Sequence, residues 1–319
     1  MKLPRLLADI GGTHARFASQ AAPGQPLVET GRYACADFPS LEDALRHHLQ
    51  ERGLEKPRDV AIGIATPITG DHVAMTNNPW AFSIDAMKHS LGAQRLLVIN
   101  DFTALALSLS ALPAESFTPI GPVGRSQAVA GAPLALLGAG TGLGVSGLLP
   151  AGHAWVPLAG EGGHVTIAAT TAGEEALLRV LRERFTHVSA ERVLSGQGIE
   201  NLYRALVELQ GVQPALNNAR EIGVAAREGR DALAVQALQH FSAFLGQAAG
   251  NLALTLGARG GVYVGGGIVP QLGAAFDQGL FRQNFEAKGR FANYLSAIPT
   301  LLVQASDEAA LLGASVALN

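Results

Sequence analysis

One motif occurs twice in this chain of 319 residues, and the repetition constrains the fold more than any other feature. Leu6-Leu7-Ala8-Asp9-Ile10-Gly11-Gly12-Thr13 is echoed 128 residues later by Leu134-Ala135-Leu136-Leu137-Gly138-Ala139-Gly140-Thr141. Each copy is an apolar run, a glycine turn closed by threonine, and a second strand-like run. A chain built on a repeated hairpin predicts two lobes, and the length, at roughly 150 residues per domain, agrees. Glycine lets backbone N–H groups approach an anion closely, and threonine adds a hydroxyl donor, so each turn is suited to phosphate oxygens. One such turn alone is more often a bare hairpin. Two copies in separate lobes favour a ligand, because opposed turns can grip a polyphosphate across a cleft.

The remaining pattern mixes strands and helices and predicts an α/β class. Strands are expected at 5–10, 15–20, 60–65, 95–99, 261–264 and 300–304, with strand, turn, strand over 128–152. Helices are expected at 40–52, with Ser40 and Asp43 as a capping pair, and at 101–112, 174–185, 199–209 and 231–258. In the last of these, Gly246 and Gly250 permit close helix contact. Short helices should begin near Pro270 and at Ser306-Asp307-Glu308. Residues 113–131, rich in Pro, Gly and Ser, read as the connection between the lobes, giving a small domain of 1–112 plus 302–319 and a large domain of 113–301.

Composition removes several function classes. Charged residues are 15% of the chain and the net charge is -3, with no Lys/Arg run, so neither nucleic acid nor a membrane surface is an expected partner. One cysteine, Cys35, excludes an intrachain disulfide or multi-cysteine zinc site and fits a reducing compartment, the cytoplasm. Residues 1–10 lack a signal-peptide pattern, and Pro133, Pro150 and the glycines break the one long uncharged stretch. Gly142-Leu143-Gly144-Val145-Ser146-Gly147 satisfies G-x-G-x-x-G, but no helix should come after it, and the absence of any Gly-Lys dipeptide excludes a Walker loop.

Four further positions are candidates for chemistry. Asp9 is placed to hold Mg²⁺ directly or through water, against the alternative of a solvated strand-end carboxylate. Asn100-Asp101 falls at the carboxyl end of a strand, where open α/β sheets place ligands; the alternative is an Asp helix cap. Gly160-Glu161-Gly162-Gly163-His164 sets an acid and an imidazole among glycines, or is an ordinary turn with a surface carboxylate. Glu191 by itself reads better as a solvated carboxylate paired with Arg192.

Taken in order, Leu7–Thr13, Ile64-Ala65-Thr66-Pro67-Ile68-Thr69-Gly70-Asp71, Met75-Thr76-Asn77-Asn78, Asn100-Asp101-Phe102, Gly138–Gly144, Gly160–His164, Glu191-Arg192-Val193-Leu194-Ser195-Gly196 and Gly265-Gly266-Gly267-Ile268-Val269-Pro270 cover nearly the whole chain. Together they resemble the bacterial glucokinase family, the group without a zinc motif. That resemblance implies a two-lobed actin-like (ribonuclease H-like) ATPase fold, with a smaller α/β domain and a larger α+β domain around a cleft. It implies transfer of the γ-phosphoryl group of MgATP to the 6-hydroxyl of glucose, supplying glycolysis, by a cytoplasmic homodimer. Carried over by position, Asn100, Asp101, Glu161, His164 and Glu191 bind the sugar, and Asp101 is also the catalytic base. Ala8, Asp9, Ile10, Gly11, Gly12 and Thr13, with Gly138, Gly140, Thr141 and Gly142, contact ATP phosphates, while Gly265, Gly266 and Gly267 lie by the adenosine. The sequence departs from the family pattern at His14, where Asn is expected, and at Ala139 and Gln197, where Pro is usual.

The chemistry is coherent, since each sugar hydroxyl taken from water needs a hydrogen-bond partner and these side chains supply them. Two alternatives stand beside it. A sugar-sensing repressor would need a DNA-binding extension and is not expected, since the first candidate phosphate strand starts within ten residues of Met1 and the net charge is acidic. A kinase for another hexose or an amino sugar would use the same fold.

Overall fold

The structure, a computed structural model, describes residues 5–76, 78–122, 126–304 and 308–319. Two compact units are present: Met1–Pro113 with Pro157–Ala159 and Ser306–Asn319, and Ala114–Val156 with Gly160–Ala305.

In the first unit the elements run β1 (Arg5–Ile10), β2 (His14–Gln20), β3 (Val28–Ala34), α1 (Leu41–Glu51), β4 (Asp59–Ile64), β5 (His72–Ala74), β6 (Ala81–Ser83), α2 (Ile84–Leu91), β7 (Arg95–Asn100) and α3 (Asp101–Ser108). The main sheet has the order β3-β2-β1-β4-β7, with β1 antiparallel to β2 and parallel to β4, and β4 parallel to β7. All six residues of β1 are buried because the strand is covered on both faces. Leu6, Ala8 and Ile10 join Phe17, Val60 and Ile62 on one face, while Leu7 joins Ala61, Leu311 and Ala314 on the other. Central strands of this kind read as an unbroken apolar run rather than as an alternation. The expected capping pair is present: Ser40 accepts from the Asp43 N–H and donates to its carboxylate.

The second unit comprises β8 (Phe117–Pro119), β9 (Leu134–Ala139), β10 (Leu143–Ala151), β11 (Ala154–Gly160, apart from its Pro157–Ala159, which belong to the first unit), α4 (Ala172–Arg184), α5 (Gly196–Gln210), α6 (Ala219–Arg227), α7 (Ala232–Leu256), β12 (Gly261–Gly265), α8 (Ile268–Leu272), α9 (Gln278–Glu286), α10 (Ala292–Ser296) and β13 (Thr300–Val303). The sheet order is β11-β10-β9-β12-β13-β8. Its first five strands repeat the first sheet position for position, a meander on one side and two parallel strands on the other, so the sequence echo is a duplication of topology. Helix α7 forms the middle of the core through Phe241, Phe244 and Leu245. At Gly246 and Gly250 a Cβ would stand 2.1 and 2.5 Å from the carbonyl oxygens of Phe281 and Phe285 in α9, which is the close contact expected of those glycines.

Some boundaries differ from expectation. Helix α3 ends at Ser108 and a turn carries the chain to Leu112. Residues 117–119, expected within the connection, are an edge strand because β8 pairs with β13. Residues 302 and 303 stay with the second unit because Val264 and Leu302 are partners in the β12–β13 ladder. The last helix, α11 (Ala309–Ala317), returns to the first unit; Ser306 and Asp307 of its expected start lie outside the described residues. It seats α3 tightly, since a Cβ at Gly313 would stand 1.6 Å from the Ala104 carbonyl oxygen. The stretch 128–152 is β9, turn and β10, and no helix among the described residues is long and apolar enough to cross a membrane.

One buried group sets a pH limit. His48 of α1 is fully buried beside Phe17, its Nδ1 3.0 Å from the Tyr33 hydroxyl, which donates to Glu51 at 2.5 Å. Its Nε2 is buried with no partner among the described residues, and burial, reinforced by the Arg52 charge, pushes the imidazole down to about 4. The unfolded chain takes up this proton near pH 6.5, before the folded one does, so folding stability should fall between roughly pH 6.5 and 4. His48→Gln, which keeps an N–H donor for the Tyr33 oxygen but does not titrate, should flatten that part of the profile of melting temperature against pH.

Candidate active site

Strand register brings the motifs of the first unit together. Ile10, Ile64 and Asn100 are neighbours at the carboxyl ends of β1, β4 and β7, so the segments after them emerge side by side. After β1 the Gly11–Thr13 turn is closed by the Gly11 N–H donating to the His14 carbonyl at 2.9 Å. After β4, Thr66 donates its hydroxyl to the Ala74 carbonyl and its own carbonyl accepts from Asn100 Nδ2 at 3.4 Å. After β7, Asn100 rather than Asp101 is the cap of α3: its Oδ1 accepts from the N–H groups of Phe102 and Thr103 at 2.9 and 3.2 Å. Asp101 is therefore the first residue of the helix, half-buried, with Oδ1 accepting from the Phe102 N–H, and the helix N-terminus favours its negative charge.

Asp9 is not a solvated carboxylate. It is 9% exposed, and its Oδ2 accepts from Arg16 Nη1 at 2.9 Å across the β1–β2 ladder. Among the described residues no group of three His, Cys, Asp or Glu side chains is arranged to hold a metal. A single carboxylate already paired with Arg16 fits at most one protein contact to a Mg²⁺ whose other ligands come from elsewhere.

In the second unit Glu191 and the Gly160–His164 turn meet at one residue, Leu143. Its N–H donates to Glu191 Oε2 at 2.9 Å, and a Cβ on Gly163 would stand 2.1 Å from its carbonyl oxygen. The absence of a side chain at 163 thus lets the Glu161–His164 turn lie directly on β10. Glu161 and His164 flank this contact and are exposed. Glu191 is not a solvated partner of Arg192; Arg192 stacks on the Phe185 ring at 4.2 Å, and Glu191 reaches back to the hairpin. Its backbone is fixed because Ser195 donates to the Glu191 carbonyl while capping α5, and Val193 and Leu194 are fully buried.

The same hairpin carries the glycine turn. The Gly140 N–H bonds the Gly142 carbonyl, and the Gly140 carbonyl accepts from the Gly196 N–H at 3.0 Å. Gly138 pairs with Gly265 in the sheet, and Gly266, at φ 78°, packs where a Cβ would be 2.3 Å from the Ala139 oxygen. Gly138–Gly142 and Gly265–Gly267 are thereby one surface. It opens on a cavity of about 840 Å³ whose wall includes Gly140, Thr141, Gly196, Gly267, Gln271 and the guanidinium-bearing Arg220 and Arg227 of α6. That volume suits a nucleotide. Helix α6 is absent from the expected elements, although Asn218 and Glu221 form a legible capping signal: Asn218 accepts from the Glu221 N–H.

Duplicated sheets, each with a Gly-Thr hairpin following a central strand, are the frame of an actin-like ATPase fold. Residues 6–319 match the Glucokinase family model. The chain is 52% identical over 317 residues to a glucokinase of Aromatoleum aromaticum, covering 99% of this chain and 95% of that one. It is 49% identical over 300 residues to a glucokinase of Chromobacterium violaceum, covering 94% and 85%. A crystal structure of glucokinase from an Antarctic psychrotroph superimposes with a TM-score of 0.89 at 36% identity, covering 99% of this chain and 98% of that one. The chain belongs to the glucokinase family.

The Glu191–Leu143 bond has a measurable consequence. Glu191→Ala leaves the buried Leu143 N–H without an acceptor and should lower the unfolding free energy by about 1–3 kcal/mol in urea denaturation. Glu191→Gln retains a carbonyl acceptor and should lose less than half of that.

Proposed function

We propose that the enzyme transfers the γ-phosphoryl group of MgATP to the 6-hydroxyl of glucose. The observation that supports this reading is that one hairpin, β9–β10, borders both candidate sites. Its turn opens on the nucleotide-sized cavity, and the residue after the turn, Leu143, holds Glu191 and underlies the Glu161–His164 loop. Phosphoryl transfer needs donor and acceptor held next to each other, which a shared hairpin provides.

Asn100, Asp101, Glu161, His164 and Glu191 take the sugar hydroxyls, each replacing a hydrogen bond to water. Asp101 accepts the proton of the 6-hydroxyl. The sugar O6 then bonds to the γ-phosphorus as the bond from that phosphorus to the bridging oxygen breaks, and ADP leaves. Asn100, committed to capping α3, fixes the direction of Asp101 as well as meeting the sugar. The Ala8–Thr13 segment binds the phosphates at its turn, through the Gly12 and Thr13 N–H groups and the Thr13 hydroxyl, the Gly138–Gly142 turn does so through its backbone and Thr141, and Gly265–Gly267 face the adenosine. Mg²⁺, when bound, would neutralise phosphate charge, and Asp9 is the residue that would hold it. The reading extends to a cytoplasmic homodimer, supported by the family resemblance and, for the reducing compartment, by the lone cysteine.

A coupled ADP-release assay across hexoses, with and without Mg²⁺, tests the reading: glucose should give the highest kcat/KM, and Mg²⁺ should be required. Preference for another hexose would move the substrate while keeping the reaction. Asp101→Asn should fold and bind glucose while kcat falls about a hundredfold or more. Near-normal turnover would remove Asp101 from the mechanism.

A further inference from the structure

The Gly11–Thr13 turn is pinned from one side at all three of its carbonyl groups. The Gly11 carbonyl accepts from the Cys35 thiol at 3.5 Å, the Gly12 carbonyl from Asn78 Nδ2 at 3.4 Å, and the Thr13 carbonyl from the Cys35 N–H at 2.9 Å. A trans peptide is planar and its C=O and N–H point in opposite directions. Fixing the Gly11 and Gly12 carbonyls toward Cys35 and Asn78 therefore fixes the Gly12 and Thr13 N–H groups toward the other side, and Thr13 is exposed there. Glycine would otherwise leave these peptide planes free to rotate.

Both donors are themselves held. Asn78 accepts from the Trp80 N–H through Oδ1 at 2.9 Å, which fixes the amide and directs Nδ2 at Gly12. Trp80 is buried and its indole N–H donates to the Phe38 carbonyl at 3.1 Å, so the anchor of Asn78 belongs to the core. Cys35 is buried, and burial raises its thiol above the ordinary range, which keeps the S–H available as a donor.

We propose that Asn78 and Cys35 are positioning residues for nucleotide binding, setting the direction of the Gly12 and Thr13 N–H groups without touching ATP. The proposal rests on the reading of this turn as a phosphate contact. Preset donors stabilise phosphate charge without reorganising when the ligand arrives, whereas a turn free to rotate must be ordered by ATP itself.

The test uses Asn78→Asp, Cys35→Ala, Cys35→Ser and Gly12→Val, each checked by thermal melting and assayed for both Michaelis constants. Asn78→Asp keeps the acceptor for Trp80 but turns a carboxylate oxygen toward the Gly12 carbonyl. It should raise the KM for MgATP about tenfold, with the KM for glucose within about twofold of wild type. The rise should persist at high KCl, where simple repulsion between the introduced carboxylate and phosphate would be screened. Cys35→Ala should raise the KM for MgATP about three- to fivefold, and Cys35→Ser, which retains a donor, should restore it. Unchanged MgATP constants in both Asn78→Asp and Cys35→Ala, or a parallel rise for both substrates, would overturn the proposal. Gly12→Val separates the two levels. If it leaves MgATP binding intact, the turn is not a phosphate contact; if it abolishes binding while the other variants behave as wild type, only the positioning role fails. Should Asn78→Asp melt at assay temperature, the Cys35 pair decides.

Discussion

The hydrogen bond from the Leu143 N–H to Glu191 is the contact around which the candidate site of the second unit is arranged. Leu143 is the first residue of β10, so its peptide group belongs to the hairpin that also contains the glycine turn. Glu191 is brought there by a short 3-10 turn clamped to α5, and the Glu161–His164 turn is brought there because residue 163 has no side chain to keep it off the strand. A charged acceptor on a buried N–H stabilises more than a neutral pair would, and it fixes the carboxylate at the same time. One bond thus satisfies the backbone and orients the Glu191 carboxylate.

A comparable economy runs through the first unit. The residues that define the edge of the sheet are also those that terminate it: Asn100 ends β7 and caps α3, Thr66 lies just past β4 and ties the next segment back, and Asn78 shapes its own turn while holding Gly12. Small side chains with both a donor and an acceptor suit this work, because at a strand end the backbone groups left by the ladder must find partners within a few ångströms. The outcome is a row of backbone and side-chain donors held before any ligand arrives. Preorganisation of that kind is what phosphoryl transfer requires of a protein, since little covalent chemistry is left for side chains to do.

The duplication explains why glycine recurs at such definite places. In each sheet a parallel strand lies beside the hairpin strand, β4 beside β1 and β12 beside β9, and the chain leaving that parallel strand must pass close to the hairpin turn. In the second unit the passage is so tight that Gly266 leaves no space for a Cβ against Ala139. The departure at residue 139, alanine where proline is usual, falls on a fully buried strand residue, and proline is not needed there to end the ladder because the Gly140–Gly142 bond already turns the chain.

The sequence by itself determined the features that depend on short-range pattern. The apolar runs of β1 and β9, the capping pair at Ser40 and Asp43, the helix of 231–258 and the paired Gly-Thr turns were legible because each is encoded within a few neighbouring residues, and their order carried the family. Helix α6 could have been found by its Asn218–Glu221 cap. Tertiary structure alone decided the state of Glu191, whose local surroundings favoured a solvated pair with Arg192 but whose partner lies 48 residues away. It decided likewise that Asp9 is buried against Arg16, that Asn100 and not Asp101 caps α3, that α6 walls the cavity, and that Cys35 and Asn78 hold the turn. Hydrogen bonds between distant residues leave no periodicity in the sequence, because their geometry is created by strand register and helix packing rather than by the residues that flank them.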